Sequence, residues 1–241
     1  MENKILKCII SYDGSKFYGL QIQPDKKTVI GEIQKALLKL NIKTDIKHAG
    51  RTDRGVHALN QVISLEIPEF WDIKKLKNIL NQMLMPEIMF KKTEITNNFN
   101  PRFDAKKRSY RYILLPHTNP FIDNYITYYP NNVNVCMVQN ALNILKGKHD
   151  FEYFAKTGSD VDNYIREIYD AYIIKHKKFH IIKIIGNGFL RGQIRIIMDF
   201  LLKINENKLS LTDLELQLNK KILINKHLAK PNGLYLERIW Y

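Results

Sequence analysis

The sequence predicts an α/β fold of the α+β kind, built from two halves in which antiparallel strand pairing dominates. Short apolar runs of strand length alternate with longer segments of helical periodicity along the chain. Two runs, Ile168–Ile174 and Phe179–Ile185, lie close enough in sequence to pair as a hairpin. A polar, proline-containing stretch near residues 100–107 interrupts the pattern midway, and the halves it separates are residues 1–104 and 105–241.

The elements follow in order. "KILKCIISY" (Lys4–Tyr12) is a mostly apolar strand, and "SYDGSKFYG" after it supplies turn residues and two aromatics. Val29, Ile33, Ala36, Leu37 and Leu40 then fall on one helical face. The chain next passes through a glycine-containing turn into "NQVISLEI", where Val62, Ser64 and Glu66 alternate with Ile63, Leu65 and Ile67 as in a strand. Asp72 is placed to cap a second helix carrying Ile73, Leu76, Leu80 and Met83, and a short strand near Ile88–Thr96 closes the first half. In the second half, strands are predicted near Tyr110–Leu115 and Ile126–Tyr129, followed by a helix from about Val135 to Lys146. The hairpin comes next, then a helix from about Leu190 to Asn205 and a last strand in "GLYLERIWY". The chain shows no internal repeat and no low-complexity tract.

Composition restricts the partners. Across 241 residues, Lys+Arg number 38 and Asp+Glu 24, for a formal charge of +14, and the excess runs from Lys4 to Arg238 rather than sitting in a tail. A folded basic surface of this kind suits a polyanion. The two cysteines, Cys8 and Cys136, make neither a disulfide framework nor a C-x-x-C metal pattern, which suits a reducing compartment. The start "MENKILKCII" carries Glu2 and too short an apolar run for a signal peptide. The most apolar late stretch, "IRIIMDFLLKI", is broken by Arg195, Asp199 and Lys203. A cytoplasmic chain without a membrane partner is expected.

The stretch "HAGRTDRGVHALNQV" (His48–Val62) sets one carboxylate, Asp53, between Arg51 and Arg54, with Gly50 and Gly55 near by. An aspartate in a turn has an ordinary explanation: its side chain can bond a nearby backbone N–H, and flanking arginines pair with it. A carboxylate presented from a bendable loop and kept ionised by cations also suits a nucleophile or base, and the arginines suit a substrate's phosphates. The stretch alone leaves both readings open.

Further motifs accompany that turn: "YDGSKFYGLQIQ" (Tyr12–Gln23), "FNPRFDAKKRSYRYIL" (Phe99–Leu114), "DFEYFAK" (Asp150–Lys156), "NGFLRGQIR" (Asn187–Arg195) and the final "GLYLERIWY". In order and spacing, with "AGRTDRGVHALNQV", they resemble the TruA-type tRNA pseudouridine synthases over nearly the whole chain. The resemblance implies two similar subdomains sharing a continuous mixed, largely antiparallel sheet flanked by helices, with a central basic cleft. It also implies a homodimer acting on tRNA without metal or small-molecule cofactor. The family's catalytic aspartate falls on Asp53, its active-site tyrosine on Tyr110, the basic residue paired with the aspartate on Arg195, and the arginine associated with flipping the target nucleotide on Arg51. Arg51, Arg54, Arg102, Arg108 and Arg111 are the expected RNA-binding cations. The bacterial pattern would be the anticodon stem-loop, at the uridines just 3′ of the anticodon, positions 38, 39 and 40, although relatives with this architecture modify other tRNA positions.

Each assignment has a plainer competitor. Tyr110 and Tyr112 share a strand face and suit aromatic core packing, Arg195 stands four residues from Asp199 as in a surface ion pair, and His57 reads as a packing residue. The chain also departs from the family pattern. Leu20 stands where Trp is common, Gln193 where Met is, Ile196 and Asp199 where Asn and Gly are, and Asn100-Pro101 replaces His-Ala before Arg102. Two rival classes remain at this level: a non-catalytic RNA-binding module, and a metal-dependent nuclease or phosphotransferase using Asp53 as ligand, although one acid between two arginines makes a poor cation site.

Overall fold

The computed structural model describes residues 3–158 and 163–241, so that Glu2 of the N-terminal run lies outside the described residues. In chain order the elements are β1 (Asn3–Tyr12), α1 (Val29–Lys39), β2 (Lys47–His48), β3 (His57–Pro68), α2 (Ile73–Leu84), β4 (Ile88–Thr96), β5 (Lys107–Leu115), β6 (Thr127–Tyr128), α3 (Val135–Ile144), β7 (Gly147–Asp150), β8 (Ile165–His176), β9 (Phe179–Gly186), α4 (Gln193–Asn205), α5 (Leu211–Leu218) and β10 (Leu234–Trp240). They form two compact units, one of residues 1–106 with 235–241 and one of residues 107–234. Each is a mostly antiparallel sheet flanked by helices.

In the first unit the strand order is β4-β1-β3-β10, with β2 paired to β3. β1 pairs antiparallel with both β3 and β4, and β10 runs parallel to β3 with Tyr235 opposite His57. β3 is hydrogen-bonded on both edges, and both of its faces are covered. Val62 and Ser64 on one face are as buried as Ile63, Leu65 and Ile67 on the other, leaving Glu66 to the solvent. The alternation therefore marks the strand but not a solvent face. Thr28 caps α1 by accepting the Gly31 N–H, and Asp72 caps α2 by accepting the Lys75 N–H. The faces so started bury Val29, Ile33, Ala36 and Leu37 in α1, and Leu76 and Leu80 in α2.

β4 is the outer strand of this unit, and an outer strand leaves a row of backbone groups unpaired. Asn81 of α2 covers one residue of that row: its Nδ2 donates to the Phe90 carbonyl at 3.0 Å and its Oδ1 accepts the Phe90 N–H at 2.7 Å. The side chain thus acts as a one-residue strand partner.

In the second unit the order is β5-β9-β8-β7, with β6 parallel to β5. The predicted hairpin is β8–β9, closed between His176 and Phe179, with Lys177 at φ +53°. α4 buries Ile194, Ile196, Ile197, Met198, Phe200, Leu201 and Ile204 and is the most completely buried helix of the described residues. It starts at Gln193 rather than near Leu190, because Gly192 takes φ +74° and leaves Leu190–Arg191 in a turn. α5 was not expected, although Ser210 and Asp213 form a reciprocal capping box at its start. β2 and β7 were also not expected, being too short for a period to show.

Tyr235–Tyr241 were expected in the second half, whereas their contacts lie in the first unit. β10 pairs with β3, Asn60 Nδ2 donates to the Glu237 carbonyl at 2.7 Å, and the Tyr241 hydroxyl donates to the Pro101 carbonyl at 3.0 Å. Cys8 is buried in β1, where desolvation raises its thiol pKa, and Cys136 is exposed. No described helix is long and apolar enough to cross a membrane.

Asn81→Ala should lower unfolding free energy by about 1–3 kcal/mol, since it orphans both backbone groups of Phe90 where water enters poorly. Urea denaturation monitored by far-UV circular dichroism measures this, and a change below a few tenths would remove Asn81 from the sheet's support.

Candidate active site

Asp53 lies in the loop joining β2 to β3, and the loop is held from beneath by the segment that follows β1. The Asp53 carbonyl accepts the Val56 N–H at 3.1 Å in a tight turn whose third residue, Gly55, has φ +79°. The Leu20 N–H donates to the Thr52 carbonyl at 3.2 Å, and the Thr52 hydroxyl shares a buried 2.7 Å hydrogen bond with that of Tyr12. Gln61 Nε2 donates to the Gly50 carbonyl at 2.9 Å. With Gly50, Thr52 and Val56 tied down, Arg51 and Arg54 stand exposed and Asp53 half-buried between them.

Two glycines allow this approach. A Cβ on Gly14 would lie 2.1 Å from the Val56 carbonyl oxygen and 2.9 Å from the His57 nitrogen. One on Gly19, itself at φ +104°, would lie 2.9 Å from the Thr52 oxygen. The Gly14 N–H donates to His57 Nδ1 at 3.0 Å, which places the imidazole proton on Nε2 and makes the 3.4 Å approach of Asp13 Oδ1 a contact with a neutral ring. His57 also stacks on Tyr235, centroids 4.6 Å apart and rings inclined by 19°. The plain reading of His57 holds: it is a buried support under the loop.

Cations surround the carboxylate loop. The Arg54 guanidinium sits 4.3 Å from the Tyr18 ring centroid, and Lys26 approaches the same ring at 5.1 Å. Arg51 and Arg102 both act on His48, whose pKa is held below its ordinary value first by burial and then by these two charges. Arg51, Asp53, Arg54 and Arg102 thus all lie in the first unit.

Tyr110, Arg108, Arg111 and Arg195 lie in the second unit. Tyr110 and Tyr112 share a face of β5. Tyr112 is wholly buried, with its hydroxyl pKa pushed up to about 12 by desolvation, and it donates to the Lys230 carbonyl at 2.8 Å. Tyr110 is 9% exposed and meets the Phe189 ring edge-on at 5.3 Å. Arg108 Nη1 donates to the Asn187 carbonyl at 2.7 Å, and Arg111 stands on the opposite face, across from Lys183 of β9.

Arg195 is held by α4 and the segment before β10. Its Nε donates to the Ala229 carbonyl at 2.8 Å, and its own carbonyl accepts the Ala229 N–H at 3.0 Å. Asp199 instead takes Lys203 Nζ and Asn225 Nδ2, each at 2.9 Å. Asn225 accepts Lys203 in turn, and its backbone N–H and carbonyl are both bonded by the buried side chain of Gln217. Asp199 is therefore an anchor for the strap that carries Ala229. Of the other departures, Leu20 and Ile196 are buried, and Gln193 Oε1 accepts the Leu190 N–H at 2.8 Å at the head of α4 while its buried Nε2 finds no hydrogen-bond partner.

A family model described as tRNA pseudouridine synthase matches residues 8–104 and 141–241. The chain belongs to the tRNA pseudouridine synthase family. It is 41% identical over 239 residues to tRNA pseudouridine synthase A of Campylobacter jejuni subsp. doylei, covering 98% of this chain and 99% of that one. To tRNA pseudouridine synthase A of Helicobacter hepaticus it is 38% identical over 244 residues, covering 98% of each. Among solved structures, a Cbf5-Nop10-Gar1 complex is similar at 12% identity and a TM-score of 0.39, covering 99% of this chain and 58% of that one, too weak a likeness to bear on fold or function.

Family membership makes the chain an isomerase of the tRNA pseudouridine synthase type. Sequence reasoning named the exposed arginines of its aspartate loop but assigned no part to Tyr12, Gly14, Gly19 or Thr52, which fix the loop's backbone. It also passed over Asn225. The motif "YDGSKFYG" was the available signal for the first group, whereas a lone asparagine in "ILINKHLAK" carries none.

Gly14→Ala should destabilise the protein by about 1–3 kcal/mol or more, because the new methyl meets rigid backbone rather than a movable side chain. Thermal unfolding checks the loss. A melting temperature within a degree of wild type would show that the loop is not held as described.

Proposed function

We propose that the protein converts uridine to pseudouridine in tRNA, with the Asp53 carboxylate as the nucleophile or base. The observation that supports this most directly is the Asp53 loop itself. Its backbone is tied at Gly50, Thr52 and Val56 and its flanks carry exposed arginines, which suits a carboxylate presented to a polyanion at low reorganisation cost.

The isomerisation breaks the N1–C1′ bond, turns the uracil while it stays bound, joins C5 to C1′, removes the C5 proton and leaves a proton on the freed N1. Charge is neither gained nor lost overall, so one ionised carboxylate and a proton acceptor suffice. In this reading Asp53 attacks or deprotonates the nucleoside, Arg195 favours the ionised carboxylate, and the Tyr110 ring stacks on uracil with its hydroxyl as candidate acceptor of the C5 proton. Arg51 fills the space left by the flipped nucleotide and offsets an unstacking cost of a few kcal/mol. Arg54, Arg102, Arg108 and Arg111 contact phosphates. The substrate site is the anticodon stem-loop at the uridines just 3′ of the anticodon, and the enzyme acts as a cytoplasmic homodimer.

Asp53→Asn should fold and bind tRNA as wild type does yet form no pseudouridine. Mass-spectrometric mapping of an unmodified tRNA after incubation measures this, and substantial turnover by the variant overturns the role of Asp53. For Arg195, the lysine variant should keep part of the activity because the charge remains. Arg195→Met should lose several orders of magnitude in single-turnover rate, each tenfold being about 1.4 kcal/mol. Near-wild-type turnover in Arg195→Met would leave its bonds to Ala229 purely structural.

A further inference from the structure

Phe103 is 76% exposed, although burying a phenylalanine ring ordinarily stabilises a protein by about 1.5–3 kcal/mol. The loop that carries it is not loose. Asn100 Oδ1 accepts the N–H groups of Arg102 (3.0 Å) and Phe103 (3.4 Å). Asp104 Oδ2 accepts the Asn100 N–H at 2.9 Å, the Asp104 N–H returns to the Asn100 carbonyl at 3.0 Å, and Tyr241 holds the buried Pro101. Asn100, one of the departures from the family pattern, is the hub of these bonds. The ring is therefore held out by a pre-ordered turn, so using it as a contact costs little conformational entropy.

Its surroundings indicate what it contacts. The Arg102 guanidinium lies 5.6 Å from the Phe103 ring centroid, and Arg102 and Arg51 both bear on His48. An exposed apolar ring thus stands beside a guanidinium in the unit that also carries Arg51 and Asp53. Phe70, also exposed, leans on Trp71, and Phe121 belongs to the other unit. A ligand matching this ring and guanidinium has flat π-faces strung on negative charges, which describes unpaired nucleotides.

We propose that Phe103 is a stacking platform for a second unpaired nucleobase of the substrate RNA, with Arg102 on the adjoining phosphate. The inference rests on the RNA-modifying function above. Stacking and charge separate experimentally, because a phosphate contact contributes to the salt dependence of binding and a stacked ring does not.

The test measures affinity for an unmodified tRNA transcript over a salt series with wild type, Phe103→Ala, Phe103→Trp and Arg102→Ala. Phe103→Ala should weaken binding about tenfold or more with an unchanged salt slope and unchanged melting temperature, and Phe103→Trp should restore it. Arg102→Ala should lower the slope by about one. In Phe103→Trp, fluorescence beyond that of Trp71 and Trp240 should be quenched by single-stranded oligouridylate and not by a fully paired RNA duplex. Affinity of Phe103→Ala within about twofold of wild type, or equal quenching by the duplex, overturns the platform. So does a Phe103→Ala protein that sediments as a smaller species, which would assign the ring to a contact between two copies of the chain. Pseudouridine is measured in the same samples. Wild-type turnover with undiminished Phe103→Ala affinity sinks this inference alone, whereas tRNA binding with stacking but without turnover sinks the catalytic reading alone.

Discussion

The close approach of Gly14 to the peptide joining Val56 and His57 is the constraint on which the aspartate loop depends. Two backbones meet there with no room for a side-chain carbon, and the gap is closed by a hydrogen bond from the Gly14 N–H to a buried, neutral imidazole. Once that contact is made, Thr52 is drawn to Tyr12, Leu20 binds the Thr52 carbonyl, and Asp53 has one short stretch of backbone from which to project. The order runs from packing to chemistry: glycine permits contact, contact fixes the turn, and the turn sets the carboxylate.

A comparable arrangement holds the arginine of the second unit. Arg195 is anchored through backbone and side chain to Ala229, and the strap carrying Ala229 is fastened by Asn225 to Asp199, Lys203 and Gln217. Such a network is robust only when its members are satisfied, since an unpaired polar group in a poorly solvated place costs about as much as several good bonds contribute. An aspartate where the family commonly has glycine is thereby accommodated: its charge has a lysine and an amide to meet.

Most elements were legible in the sequence because each carries a local signal. The helix α1 announced itself by apolar spacing, α2 by apolar spacing and its capping residue Asp72, and β8–β9 by two apolar runs four residues apart. β2 and β7 were illegible because two and four residues carry no period, and α5 because its eight residues present a narrow apolar face. The place of β10 was illegible for a different reason. Pairing between residues 57 and 235 is a long-range choice that no window of sequence encodes.

For the site, the sequence by itself determined which groups are available: one carboxylate among arginines, a tyrosine pair on a strand, a basic chain without a cysteine framework. Together with the motif resemblance, that sufficed to reach the family. Tertiary structure alone decided which of these groups are held and by what. It made His57 a support, sent Asp199 to Asn225 and Lys203, and left Phe103 in solvent on a locked turn. The reason is physical. Residue type sets what a side chain can do, whereas exposure, hydrogen-bond partners and local field arise from segments far apart in the chain and exist only once those segments have packed.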